Sequence, residues 1–126
     1  MKFRHSPTHV TSLRHALRGL GLAFRTERSF RFQTILGCVS VLLAWALRIS
    51  AIEWLCLAFV VGLVLVLELL NSSFERMVDL AKPRLDDAVR DLKDILAGAV
   101  LVAAMIAVLV GMVIFLPKLV ALFIRL

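Results

Sequence analysis

Three long stretches without a charged residue set the limits on what this chain can become. Phe32–Leu47 holds sixteen residues, Trp54–Leu67 fourteen and Ile95–Pro117 twenty-three. At about 1.5 Å per helical residue the third reaches about 33 Å, enough for a bilayer core of about 30 Å. The first two are shorter. They need polar ends that snorkel, or a helix that continues beyond the lipid. Leu69–Phe74 supplies such a continuation after Glu68. No periodic polar face interrupts the runs, which argues against a soluble helical core. The apolar share of 61 % also stands well above the usual soluble share of about 45–50 %.

With 126 residues there is room for one domain. The spacing predicts an all-α membrane protein with an N-terminal amphipathic surface helix and three transmembrane helices. Residues 1–31 form a tail and the surface helix, 32–50 the first span and 52–79 the second, with a cytoplasmic extension. Residues 80–91 form a linker, and 92–117 the third span. A cleaved signal peptide is not expected, because some thirty residues, seven of them basic, precede the first apolar run.

Charge sets the expected orientation. The net charge is +6. Seven Lys and Arg residues precede the first span, and Arg76, Lys82, Arg84, Arg90 and Lys93 lie between the second and third. Only Arg48, Lys118 and Arg125 fall on the other side. Twelve against three puts the N-terminus and the loop between the second and third spans in the cytoplasm. The basic excess then reads as topology and headgroup attraction, with no nucleic-acid partner. Cys38 and Cys56 lie in or beside apolar runs and read as packing residues.

Between Val10 and Arg28, Leu13, Ala16, Leu17, Leu20 and Phe24 share one face at helical spacing, with Arg14, Arg18 and Arg25 beside it. Glu27 breaks this sorting by projecting with the apolar stripe. Arg48–Glu53 reads as a short outer turn, with Trp54 at the interface. Pro83 is expected to break the helix in the linker. Asp86, Asp87, Asp91 and Asp94 crowd the start of the third span, where negative charge suits the helix dipole. Ala99, Ala103, Ala107 and Gly111 recur every fourth residue, a pattern that lets membrane helices approach closely.

The second run ends in ELLNSSFERMVD. Glu68, Asn71, Glu75 and Asp79 fall within about 60° of Glu68's direction on a helix, so they form one stripe. An acid facing lipid is costly, so the stripe must face a cavity or partner helices. Glu27 reaches the same level, as do Lys93 and Asp94 at the foot of the third span. Clustered carboxylates repel one another unless a cation lies among them, and Mg²⁺ favours such oxygens together with substrate phosphates. Lys93 can neutralise a phosphate, and Arg28 and Arg31 are further candidates. A carboxylate at the membrane boundary can also accept a proton from a lipid hydroxyl. Together these parts suit phosphoryl transfer from a Mg-nucleotide to a lipid alcohol. Asp79, Asp86, Asp87 and Asp91 also read simply as solvated helix-end acids. No G-x-x-x-x-G-K-[ST] or G-x-G-x-x-G occurs.

E-x-x-N-x-x-x-E-x-x-x-D followed by K-D, with RTERSFRFQ (25–33), LKDILAGAVL (92–101) and FLPKL (115–119), resembles the small integral-membrane lipid kinases of bacteria. These are the prokaryotic diacylglycerol and undecaprenol kinases. The resemblance spans nearly the whole chain. It implies a homotrimer with active sites shared between subunits and ATP as co-substrate. It implies Glu68 as the general base, and Glu27 and Glu75 as ligands of the Mg²⁺ carried by ATP. Asn71, Lys93 and Asp94 match positions around the nucleotide. His15 stands where the family often has an aromatic residue near the adenine, and Arg31 and Asp79 are auxiliary candidates. The chain has no tyrosine, so it departs from the Tyr-containing linker common in the family. AGAVL and FLPKL lean toward undecaprenol as acceptor, with diacylglycerol the alternative. Two other classes stay open on the residues alone. One is a proton-coupled transporter using Glu68, the other an accessory subunit assembled through the small-residue face.

Overall fold

A computed structural model describes residues 9–81 and 86–124. Four helices follow one another: α1 His9–Thr26, α2 Arg28–Ala46, α3 Ala51–Ala81 and α4 Asp87–Ile124. The last three are long and apolar enough to cross a membrane. α3 packs most extensively on α4, α2 packs on α3, and α1 meets α2. Pro83, Lys82, Arg84, Arg125 and the residues before His9 lie outside the described residues.

Many large apolar side chains point away from the bundle. Trp45, Leu55, Phe59 and Val113 are each more than 70 % exposed, as residues facing hydrocarbon would be. On α1, Leu13, Leu17, Leu20 and Phe24 are exposed, while Ala23 is buried.

A single residue separates α1 from α2. Glu27 has extended backbone (φ −100°, ψ 112°). Its N–H still donates to the Ala23 carbonyl at 2.8 Å, and its carbonyl accepts the Arg31 N–H at 3.1 Å. Glu27 therefore ends one helix and stands at the N-cap position of the next, which it holds by its backbone alone. This corrects the expectation that the first helix runs to Arg28 with Glu27 in its apolar stripe. One extended residue redirects the chain, and it needs neither Gly nor Pro.

The turn between α2 and α3 is closed by backbone bonds. Arg48 N–H donates to Trp45 and Ile49 N–H to Ala44, at 3.2 and 3.3 Å. This is the Schellman pattern, and its left-handed residue is Arg48 (φ 50°), where glycine is usual. Ser50 and Glu53 then start α3 with a reciprocal pair. The Glu53 N–H donates to Ser50 Oγ at 3.3 Å, and the Ser50 N–H donates to Glu53 Oε2 at 2.7 Å. That is a capping box, S-x-x-E. Lys118 Nζ donates to the other Glu53 oxygen at 2.6 Å and ties α4 to this end. Ala44, Ile49, Leu57 and Ile114 form a buried cluster beneath it, with Trp54 and Phe115 against them.

Two further features set the helix spacing. Gly37 is buried, and a Cβ there would stand 2.9 Å from Val61 Cγ1, so its lack of a side chain lets α2 lie close on α3. On α4, Ala103 is 4 % exposed within a single chain. The small-residue face is thus used at Ala103 for packing inside the chain, whereas Ala99 is exposed. α4 also runs through Pro117 to Ile124, seven residues past the expected end of the third span.

Candidate functional site

The buried face of α3 changes chemistry along its length. Leu57, Val60, Val64, Glu68 and Ser72 succeed one another three or four residues apart, each under 9 % exposed. Regular helix geometry alone carries a stripe that begins with apolar residues onto a carboxylate. Glu68, 3 % exposed, is therefore covered by protein and kept from lipid. Ser29 Oγ donates to its Oε1 at 2.7 Å, from the first turn of α2. Burying a carboxylate demands such a partner.

One turn further on, the Asn71 carboxamide oxygen is buried without a hydrogen-bond partner among the described residues. A buried acceptor in that state is destabilising unless something outside the chain donates to it.

Beyond Asn71 the acids meet cations from other elements. Lys93 Nζ on α4 stands 3.6 Å from Glu75 Oε1, both side chains being about half exposed. Arg76 reaches back to Glu27, donating to Oε1 from Nε at 3.0 Å and from Nη2 at 2.6 Å. Its Nη2 also donates to the Thr26 hydroxyl. Glu27 is free to accept these bonds because its side chain does not cap α2. Glu27, Arg76, Ser72, Ser73, Gly19 and Leu20 border a cleft of about 500 Å³ between α1 and α3. A second cleft of about 350 Å³ is apolar and runs along α2, α3 and α4, past Gln33, Gly37, Val60, Val64 and Ala107. Gln33 lies one turn after Ser29, and Val64 one turn before Glu68, so the lining of this cleft stops one helical turn from the Ser29–Glu68 contact.

The predicted residues do not all gather equally. Glu68, Asn71, Glu75, Lys93 and Glu27 lie along one end of the bundle, where Glu68 holds Ser29, Glu75 holds Lys93 and Glu27 holds Arg76 as separate pairs. Asp94, Arg31 and Asp79 are exposed near that end. His15 is exposed in a shallow groove that α1 makes alone with Thr11, Arg14 and Arg18. No group of three or more His, Cys, Asp or Glu side chains is arranged to hold a metal among the described residues. Sequence reasoning missed the roles of Ser29 and Arg76. Arg76 had counted only toward topology, although it follows Glu75 directly and Glu27 is rich in neighbouring polar groups.

Comparison with known proteins decides the family. The prokaryotic diacylglycerol kinase family matches residues 14–115. The chain belongs to that family. It is 39 % identical over 105 residues to the undecaprenol kinase of Bacillus subtilis (strain 168), covering 83 % of this chain and 85 % of that protein. It is 40 % identical over 118 residues to a diacylglycerol kinase of Synechocystis sp., covering 93 % and 67 %. It is 32 % identical over 95 residues to the diacylglycerol kinase of Escherichia coli (strain K12), covering 75 % and 78 %. Membership makes the chain a membrane lipid kinase, with a lipid acceptor and ATP as the implied phosphoryl donor.

Proposed function

We propose that the protein transfers the γ-phosphoryl group of ATP to the hydroxyl of undecaprenol or diacylglycerol at the cytoplasmic face of the inner membrane. The observation that carries this reading is the buried Glu68, hydrogen-bonded to Ser29 one helical turn beyond the lining of the apolar cleft. The lipid's hydrocarbon lies along the cleft, and its hydroxyl meets Glu68. Glu68 accepts the hydroxyl proton as the oxygen attacks the γ-phosphorus. The new P–O bond forms, the bond to the β–γ bridging oxygen breaks, and ADP leaves with that oxygen. Ser29 holds Glu68 in one orientation, and Lys93 faces the phosphates.

The acidic residues present fit magnesium. Glu27 and Glu75 offer hard carboxylate oxygens that remain partly exposed, which is the one- or two-carboxylate set such a nucleotide-borne ion takes. Magnesium arriving with ATP would be held by Glu27 and Glu75 and would supply neutralisation of the phosphate charge. Asn71, Lys93 and Asp94 contact the nucleotide, with His15 near the adenine and Arg31 and Asp79 as outer contacts. The Asn71 oxygen, without a partner among the described residues, supports a site completed by nucleotide or by a neighbouring subunit of a homotrimer. The exposed Leu13, Leu17, Leu20 and Phe24 support α1 as an amphipathic helix lying on the inner membrane surface. The twelve-to-three basic bias supports a cytoplasmic N-terminus. A transporter built on Glu68 would leave the Glu27, Glu75 and Lys93 contacts without a purpose, and the family does not favour it.

The test is label transfer from γ-labelled ATP in mixed micelles, with undecaprenol and diacylglycerol offered in parallel and Glu68→Gln as the blank. Labelled lipid from the native protein alone is expected, and the preferred acceptor names the substrate. Folded protein that labels neither lipid would overturn the reading.

A further inference from the structure

Each carboxylate assigned to magnesium already holds a cation. Glu75 has Lys93 at 3.6 Å, and Glu27 has the Arg76 guanidinium at 2.6 Å. Arg76 aims two of its donors at a single Glu27 oxygen. This contact borders the open cleft between α1 and α3, where even a Cβ on Gly19 would meet nothing within 4 Å. A metal-bound polyphosphate entering there brings both signs of charge. Its metal needs the carboxylate oxygens, and its phosphates need cations.

We propose that Arg76 is a phosphate-binding residue, held on Glu27 until a metal–nucleotide polyphosphate displaces it. The inference rests on the kinase reading and deepens it. On binding, Glu27 passes from the guanidinium to the metal, and the guanidinium passes from Glu27 to a phosphate oxygen. Each charge keeps an opposite partner throughout, so the exchange strands no ion. An ion pair with its arginine 44 % exposed is weak enough to give way. The planar fork of arginine also matches phosphate oxygens as well as it matches a carboxylate. In the free protein the pair keeps Glu27 from taking up divalent metal alone, so metal and nucleotide arrive together.

The exchange makes the two binding equilibria move in opposite directions when Arg76 is neutralised. The full-length protein in nanodiscs is titrated with Mn²⁺ alone, followed by its EPR signal. It is then titrated calorimetrically with a β,γ-methylene ATP analogue and Mg²⁺. Arg76→Gln is expected to bind Mn²⁺ about two- to fivefold more tightly. It is expected to bind the Mg²⁺–analogue about tenfold more weakly. Arg76→Lys should fall between Arg76→Gln and the native chain. A parallel loss of both affinities would make Arg76 a structural tie that merely positions Glu27, and no change in either would remove it from the site. Should Arg76→Gln fail to assemble, Arg76→Met keeps the aliphatic stem and carries the same two titrations. Native protein that binds no analogue would defeat the kinase reading itself. Native binding with an unaffected variant would defeat only the exchange.

Discussion

The two ends of the helical bundle are built from similar residues to different purposes. At the Glu53 end, Ser50 and Glu53 satisfy each other, Lys118 takes the remaining carboxylate oxygen, and the turn at Arg48 closes on its own backbone. A buried apolar cluster lies directly beneath. At the Glu68 end, the carboxylates hold long, half-exposed cations from other helices, and the Asn71 oxygen has no partner among the described residues. The first end is completed by its own chain and fixes the helices. The second is left incomplete by the described residues, and an incomplete polar end suits a site that ligands finish. Substitutions at the Glu68 end should therefore move activity, and substitutions at the Glu53 end stability.

The largest effect is expected at Glu68. Glu68→Gln keeps the side chain's size and its hydrogen bond to Ser29 but cannot accept the substrate proton. Turnover should fall by about 10²–10⁴-fold, the usual worth of a general base. Nucleotide affinity, measured calorimetrically, should stay near native. Loss of nucleotide binding along with turnover would remove the division between base and metal site. Next come Glu27→Gln and Glu75→Gln. Each should raise the Mg²⁺ concentration for half-maximal activity by about tenfold, the loss of one charge-assisted contact. Added Mg²⁺ should restore part of the rate. An unchanged Mg²⁺ profile in both would refute their role as ligands.

Ser29→Ala tests whether the Glu68 carboxylate needs orienting. The variant leaves Oε1 buried without its donor, so kcat should drop by about tenfold while the KM for ATP changes little. Ser29→Thr restores the hydroxyl and should recover most of the rate. Equal loss in alanine and threonine would point to packing instead of the hydrogen bond.

The unequal legibility of the two ends has a physical cause. Three spans were readable because uncharged runs of this length have few homes other than a membrane. Glu68 was readable because an acid at the end of such a run is costly unless covered. Ser29 and Arg76 were not, because their partners stand 39 and 49 residues away in the chain. No local pattern announces a contact of that range. The break at Glu27 was hidden for a different reason: its helix-terminating geometry uses none of the residues that usually mark it. The Ala103 face was legible as close packing but silent about which helix it serves, since contacts within and between subunits ask for the same small side chains. The capping box at Ser50 was written in plain local code, S-x-x-E, yet lay in a stretch read only as a turn.

At the Glu53 end the effects should be smaller and confined to stability. Ser50→Ala removes one half of the capping box and should lower the unfolding free energy in an SDS titration by about 1 kcal/mol, with turnover unchanged. A matching fall in activity would show that the two ends are coupled along α3.

The smallest effect, and the one of opposite sign, is expected at Arg48. This residue holds the left-handed conformation at φ 50° that terminates α2, and a side chain there crowds its own backbone. Glycine adopts the same conformation without that crowding, although it also gains freedom in the unfolded chain. The two terms leave Arg48→Gly more stable by about 0.5–1 kcal/mol, seen as a higher SDS midpoint. Arg48 is exposed and its side chain is not needed for the turn's backbone bonds, which run from the Arg48 and Ile49 N–H groups. Activity should therefore not change. A loss of stability would mean that the Arg48 side chain contributes more, by anchoring this end at the membrane interface, than its backbone strain costs, and the Glu53 end would then depend on lipid as well as on its own chain.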